Sequence, residues 1–177
     1  MSNFISKEYL STQVDLHENT SYGTASISHA PNIKEILEQT GFQTLSDYGA
    51  GKRNLQKTLI ENGYTNFEYF PYDPVFPEYG NPRPAQLVCC IDVMEHVEYT
   101  YLDKILDELK SLTLNLCYFS IATIPAKKIL KNGKNAHLIQ KPARWWLPKL
   151  CERFHVQFLK LTQGGFIVLC RALNEKD

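Results

Sequence analysis

The sequence predicts an α/β fold: a mainly parallel twisted sheet with helices on both faces, closed by a C-terminal antiparallel hairpin. Three observations carry this expectation. Short apolar segments alternate with helical patterns along the whole chain, which is the signature of a parallel sheet. Residues 86–91, Gln-Leu-Val-Cys-Cys-Ile, form a continuous apolar run, as a strand covered on both faces requires. Near the C-terminus, Gly164 and Gly165 separate two strand-like segments and read as a hairpin turn.

Taken in order, residues 3–18 read as a helix and 21–24 as a turn. A second helix is expected over 31–40, opened by Pro31, whose missing N–H suits a first turn, and stopped by Gly41. Strand 43–47, helix 52–62 and strand 67–72 follow. A proline-dense loop (Pro71, Pro74, Pro77, Pro82, Pro84) leads to strand 86–91. Helix 100–112 places Tyr101, Ile105 and Leu109 on one side and charges on the other. Strand 115–123, a polar loop, helix 142–154 and strands 155–161 and 165–171 complete the chain. With 177 residues, one domain is expected: helices within 1–41 as a lid over a core of 42–177.

Composition bounds the function. Hydrophobic residues make up 44% and the formal net charge is zero, so the chain is globular and has no global field to gather nucleic acid or anionic membrane. No apolar run approaches the ~20 residues that span a bilayer, and the N-terminus lacks a secretory apolar core. Cysteines 89, 90, 117, 151 and 170 show no C-x-x-C spacing and read as small buried hydrophobes of a reducing compartment. A cytoplasmic location is the expectation.

The most informative stretch is 44–52, Thr-Leu-Ser-Asp-Tyr-Gly-Ala-Gly-Lys. It reads as a strand ending in Asp47, a D-x-G-x-G turn through Tyr48, Gly49 and Gly51, and a helix from Lys52. The glycines permit a sharp turn and close approach of a ligand. The helix start aims N–H groups and partial positive charge at the same place. A dinucleotide fingerprint would need glycine where Asn54 stands, and a P-loop would need Ser or Thr at Arg53 and glycine at Ser46.

Asp73 and Pro74 end the next strand, where an acid suits a ribose diol. Asp92 and Val93 follow strand 86–91, on the opposite side of the expected crevice. Asp92 equally suits a helix N-cap. Glu95 and His96 continue the D-x-x-E-H string, and His137 lies on the loop after the following strand. Both histidines are candidate general bases. Tyr22 and Gly23 are candidate caps over a bound cofactor. Trp146, Leu150 and Phe154 at four-residue steps read as core, leaving Trp145 free to stack on a substrate. Lys127, Lys128, Lys131 and Lys134 make a basic loop beside the expected pocket.

Asp47 to Lys52, Tyr72-Asp73-Pro74 and the string Asp92-Val-Met-Glu-His-Val, in this order, resemble class I S-adenosylmethionine-dependent methyltransferases. Further strings extend the likeness over nearly the whole chain, to a small single-domain group of bacteria and phages: Leu16-His17, Tyr22-Gly23-Thr24, and segments 121–128 and 135–146. The resemblance implies a Rossmann-like methyltransferase fold, S-adenosyl-L-methionine as cofactor, and methyl transfer to an oxygen or nitrogen of an acceptor. A small-molecule or sugar-like acceptor is expected; nucleic acid stays open, and no membrane partner is expected. Two departures stand out. Arg53 replaces a common third glycine, and the 12 residues between Asp73 and Gln86 are too few for the usual third strand, which is expected to be reduced.

The D-x-x-E-H string with a later histidine also resembles small-RNA 2′-O-methyltransferases that use a divalent ion. Their paired histidines are absent, since Val97 follows His96. The residues are therefore read as active-site wall with no resident metal, and metal-assisted methylation of RNA stays an alternative. A non-catalytic cofactor-binding partner is another, and a small oxidoreductase is disfavoured by Asn54.

Overall fold

A computed structural model describes residues 4–18 and 23–173. Helix α1 spans Lys7–His17, with Ser6 capping its start by accepting the Tyr9 N–H. Helix α2 spans Ala25–Thr40 and ends at Gly41, whose φ of 70° gives the left-handed cap. Then follow β1 (Thr44–Tyr48), α3 (Asn54–Glu61), β2 (Glu68–Tyr72) and β3 (Ala85–Ile91). The chain ends with α4 (Leu102–Leu112), β4 (Thr113–Ala122), α5 (Ala143–Cys151), β5 (Phe154–Leu161) and β6 (Gly165–Ala172).

Among the described residues the sheet has six strands in the order β2-β1-β3-β4-β6-β5. The first three pairings are parallel and the last two antiparallel, as the hairpin implied. Between β2 and β3 there is only a 3₁₀ turn, Pro77–Tyr79, so β2 is the sheet edge and the expected loss of a third strand holds.

Alternation along β3 explains the layers. Leu87, Cys89 and Ile91 pack with Ala30, Ile33 and Leu37 of α2 and Leu55 and Leu59 of α3. Val88 and Cys90 face the other way, toward Leu102, Ile105 and Leu109 of α4 and Trp146 and Leu150 of α5. Both faces of the strand are buried, which is why its sequence is apolar without interruption. Four of the five cysteines are buried and Cys151 is exposed. At the hairpin, a Cβ on Gly165 would lie 2.2 Å from the Ile121 carbonyl oxygen, so only glycine lets β6 approach β4 there.

Two boundaries differ from expectation. Helix α2 starts at Ala25, six residues before Pro31, which sits exposed inside it. Proline in a helix interior costs about 3 kcal/mol or more. Burial of Ala30, Ile33 and Leu37, with the Tyr118 hydroxyl accepting from Asn32 Nδ2 and sharing a hydrogen bond with His29 Nδ1, offsets that cost. Helix α2 is thus a layer of the core, and only α1 lies apart from the sheet. Helix α5 ends at Cys151, and Phe154 opens β5 instead of extending the helix.

Candidate functional site

A cavity of about 610 Å³ opens at the C-terminal ends of the parallel strands. The turn after β1, the tip of β2 and the turn after β3 supply its floor, and α1 supplies one wall. That is where open α/β sheets bind ligands. Helix α1 is held in place by several contacts. The Ser6 N–H donates to the Glu98 carboxylate at 2.7 Å, Lys131 pairs with Asp15 at 2.6 Å, and Tyr9 and Leu16 pack with Leu130 and Ala136.

The glycine turn acts differently from the sequence expectation. The Gly49 and Ala50 N–H groups both donate to the Tyr72 carbonyl, at 2.7 and 2.9 Å, and Gly51 N–H donates to Asp73 Oδ2 at 2.9 Å. Helix α3 begins at Asn54, after Arg53 in the left-handed region (φ 59°), not at Lys52. The amides read as an anion cradle instead stitch the turn onto the end of β2, continuing the pairing of Tyr48 with Tyr72. The glycines are needed for shape. A Cβ on Gly49 (φ +84°) would lie 2.3 Å from Val93 Cγ2, and one on Gly51 (φ +49°) 3.3 Å from the His17 ring.

Asp47, Asp73 and Asp92 all border the cavity. Asp47 is buried and accepts a short hydrogen bond from the Tyr69 hydroxyl. Burial pushes its carboxyl from 3.8 up to about 7, against the pull of Tyr69 and with a further push from Asp73. Burial also raises Asp73, although its oxygens accept the Val75 and Gly51 N–H groups and His17 lies nearby. Asp92 sits at φ 52° and accepts the Ser120 hydroxyl at 2.7 Å, while its own N–H pairs with the Ser120 carbonyl. A 3₁₀ turn, Met94–His96, follows it, and the helical N-cap reading does not hold.

Other candidates are placed less directly. Tyr48 borders the cavity but gives its hydroxyl to Glu108 of α4 at 2.6 Å. Lys52 is not among the lining residues, whereas Pro74, Val93 and Gly23 are. Tyr22 lies outside the described residues. Trp145 packs by Tyr99 with Lys149 over its ring, away from the cavity lining. Trp146 is fully buried, its indole N–H given to the Lys141 carbonyl. Of the basic loop, Lys127 and Lys128 reach the cavity wall.

Glu95, His96 and His137 converge at the far end. The two imidazoles meet edge to face with centroids 4.8 Å apart. His96 Nδ1 lies 2.8 Å from the Ala136 carbonyl and His137 Nδ1 lies 2.7 Å from the Ile124 carbonyl. A carbonyl only accepts, so each Nδ1 carries a proton. Burial, reinforced by His137, holds His96 down at about 4, a neutral ring at physiological pH. Glu95 is fully buried, with Oε1 accepting the Ala122 N–H at 3.0 Å. Burial first, then Asp92, raises its carboxyl to about 8.

Three contributors were given no role at the site by sequence reasoning, which noted Leu16-His17 only as a string of the likeness. His17 lines the cavity against Gly51 and Gly23, and Gln13 lines it with a buried side-chain amide nitrogen that has no partner among the described residues. Both come from α1, far in sequence from the motifs at the strand ends. Asn54, noted only for not being glycine, donates to the Gly23 carbonyl at 3.0 Å and ties the start of α2 to α3.

No protein-family model and no curated protein matches this sequence. Solved structures do match its fold. A Burkholderia thailandensis 1,6-didemethyltoxoflavin-N1-methyltransferase, with bound 1,6-didemethyltoxoflavin and S-adenosylhomocysteine, superposes with a TM-score of 0.65 at 11% identity, over 94% of this chain and 90% of that one. A DhpI–SAH complex gives 0.60 at 13%, over 95% and 98%. The mitomycin 7-O-methyltransferase MmcR gives 0.60 at 14%, over 90% of this chain and 60% of its own. The chain therefore has the Rossmann-like fold of class I methyltransferases, as its motifs implied.

Proposed function

We propose that this chain is an S-adenosyl-L-methionine-dependent methyltransferase acting on an oxygen or nitrogen of a small acceptor. The observation that carries the reading is the one cavity bordered by Asp47, Gly49 to Gly51, Asp73 and Asp92, which continues to His96 and His137. Asp47 would face the ammonium of the cofactor's methionine end, where a cation would favour the ionised form that burial and Asp73 now disfavour. Asp73 would take the ribose hydroxyls, since a carboxylate accepts about four hydrogen bonds and two are already filled. Val93 and Gly23 would border the adenosyl group.

When bound, the cofactor would supply an activated methyl group, its sulfur–carbon bond breaking as an acceptor lone pair bonds to the methyl carbon. The acceptor's proton would leave to a base, for which His137, or His96, is the candidate; the two rings meet at the cavity wall. The relatives in structure carry small-molecule names, and the zero net charge of this chain agrees with a small acceptor. Lys127 and Lys128 at the wall suit an acceptor bearing an acidic group. Incubation with methyl-tritiated S-adenosylmethionine and a panel of hydroxyl and amine acceptors tests the reading. Label in an acceptor supports it; tight cofactor binding with no transfer to any acceptor supports the non-catalytic alternative.

A further inference from the structure

We propose that the methyl acceptor is a small organic acid, and that Gln13, with Lys127 and Lys128, binds its carboxylate. Tyr9, Gln13 and His17 fall at four-residue steps along α1, so they share one helical face, and all three line the cavity. Gln13 is only 8% exposed, and its side-chain nitrogen is buried with no hydrogen-bond partner among the described residues. A buried amide N–H left unpaired is costly, and a ligand oxygen in the cavity removes the cost. Given to a carboxylate, the N–H makes a charge-assisted bond, roughly twice as strong as a neutral one.

The packing around Gln13 puts it on the side of the cavity assigned to the acceptor. Tyr9 and Leu16, about a turn before and after it on α1, pack with Leu130 and Ala136, and Ala126 lies against them. Ala136 directly precedes His137, and its carbonyl meets His96 Nδ1. The 126–128 segment is bound to the same place. The Lys128 carbonyl accepts the Ala136 N–H at 3.0 Å, and the Asn135 side chain bridges the N–H and carbonyl of Ala126. Lys127 and Lys128 therefore stand at the wall that carries His137. Both are exposed and neither has a carboxylate partner among the described residues, whereas Lys131 of the same loop pairs with Asp15.

Polarity across the cavity gives the orientation. The strand-end floor offers the carboxyl groups of Asp47, Asp73 and Asp92, which suit the cation and hydroxyls of a cofactor and not an anion. The turn amides of Gly49 to Gly51 are engaged by Tyr72 and Asp73, so they do not compete for the acid. Glu95, close to His137, is raised to about 8 by burial and then by Asp92; it keeps its proton at neutral pH and does not oppose an anion there. The acceptor role of the bound acid rests on the methyl-transfer reading, whereas the carboxylate site is read by binding alone.

The test is calorimetric binding of three hydroxy acids, 3-hydroxybenzoate, lactate and glycerate, and of their uncharged amides to the full chain, with and without S-adenosylhomocysteine. At least one acid should bind about tenfold or more tighter than its amide. Gln13→Leu, close in volume, should weaken that acid at least about tenfold and leave S-adenosylhomocysteine affinity unchanged. Gln13→Glu should abolish acid binding by repulsion while the amide still binds. Lys127→Met with Lys128→Met, at exposed positions, should remove both the preference for the acid and its sensitivity to salt. Circular dichroism checks the fold of each variant. The proposal is overturned if no acid is preferred to its amide, or if the Gln13 and lysine variants bind the acid as wild type does. It is also overturned if Gln13→Leu weakens S-adenosylhomocysteine and not the acid, which would give the site to the cofactor's own carboxylate. Acid binding by a chain with no affinity for S-adenosylhomocysteine would support the carboxylate site and overturn the methyl-transfer reading.

Discussion

Replacing Asp47 by Asn should separate what the buried acid does for the ligand from what it does to the fold. Asparagine keeps the shape and can still accept from the Tyr69 hydroxyl, but it carries no charge. The carboxyl is raised from 3.8 to about 7 by burial. Below pH ~4 the group is protonated in both folded and unfolded chains, and wild type should match the variant. Between pH ~4 and ~7 the unfolded chain ionises while the folded one does not, so wild-type stability falls as pH rises. Above pH ~7 the full penalty remains, at most about 4 kcal/mol from about 1.36 kcal/mol per pH unit. Urea denaturation across pH 4–8.5 reads the difference directly. Asp47→Asn should be the more stable protein at pH 8 by about 2–4 kcal/mol, yet lose calorimetric affinity for S-adenosylhomocysteine. Parallel pH–stability curves, or unchanged affinity, would refute the reasoning.

Other perturbations follow from contacts already described. Gly49→Ala should lose about 2–4 kcal/mol, from left-handed strain and the clash with Val93, and adding Val93→Ala should restore part of it in thermal melts. Pro31→Ala should raise stability by about 1–2 kcal/mol: it restores a helical N–H at an exposed position, and the freer unfolded chain offsets part of the gain. His137→Ala should lower turnover about a hundredfold or more with cofactor affinity unchanged, as measured by KM and kcat.

Much of the architecture was legible because its causes are local. The continuous apolar run of β3 follows from burial on both faces, and the hairpin from the close approach that Gly165 permits. The short 73–86 segment foretold the sheet edge at β2. The start of α2 was not legible, since Pro31 is a valid local boundary signal. It is overridden by Ala30, Ile33 and Leu37 packing on the sheet and by the tether to Tyr118. At the site, the three aspartates could be placed from strand ends alone. The engagement of the Gly49 to Gly51 amides by Tyr72 and Asp73 could not, because it depends on the register of β2 against β1. Nor could the closeness of Glu95 to both imidazoles, which the 126–137 loop creates through Asn135.

A crystal structure of the chain with S-adenosylhomocysteine reaches the central claim most directly. The nucleoside should lie in the cavity with its amine at Asp47, its ribose at Asp73 and its sulfur facing the space beside His96 and His137. Density for the ligand at another surface, or a cavity left empty at saturating ligand, would contradict the account.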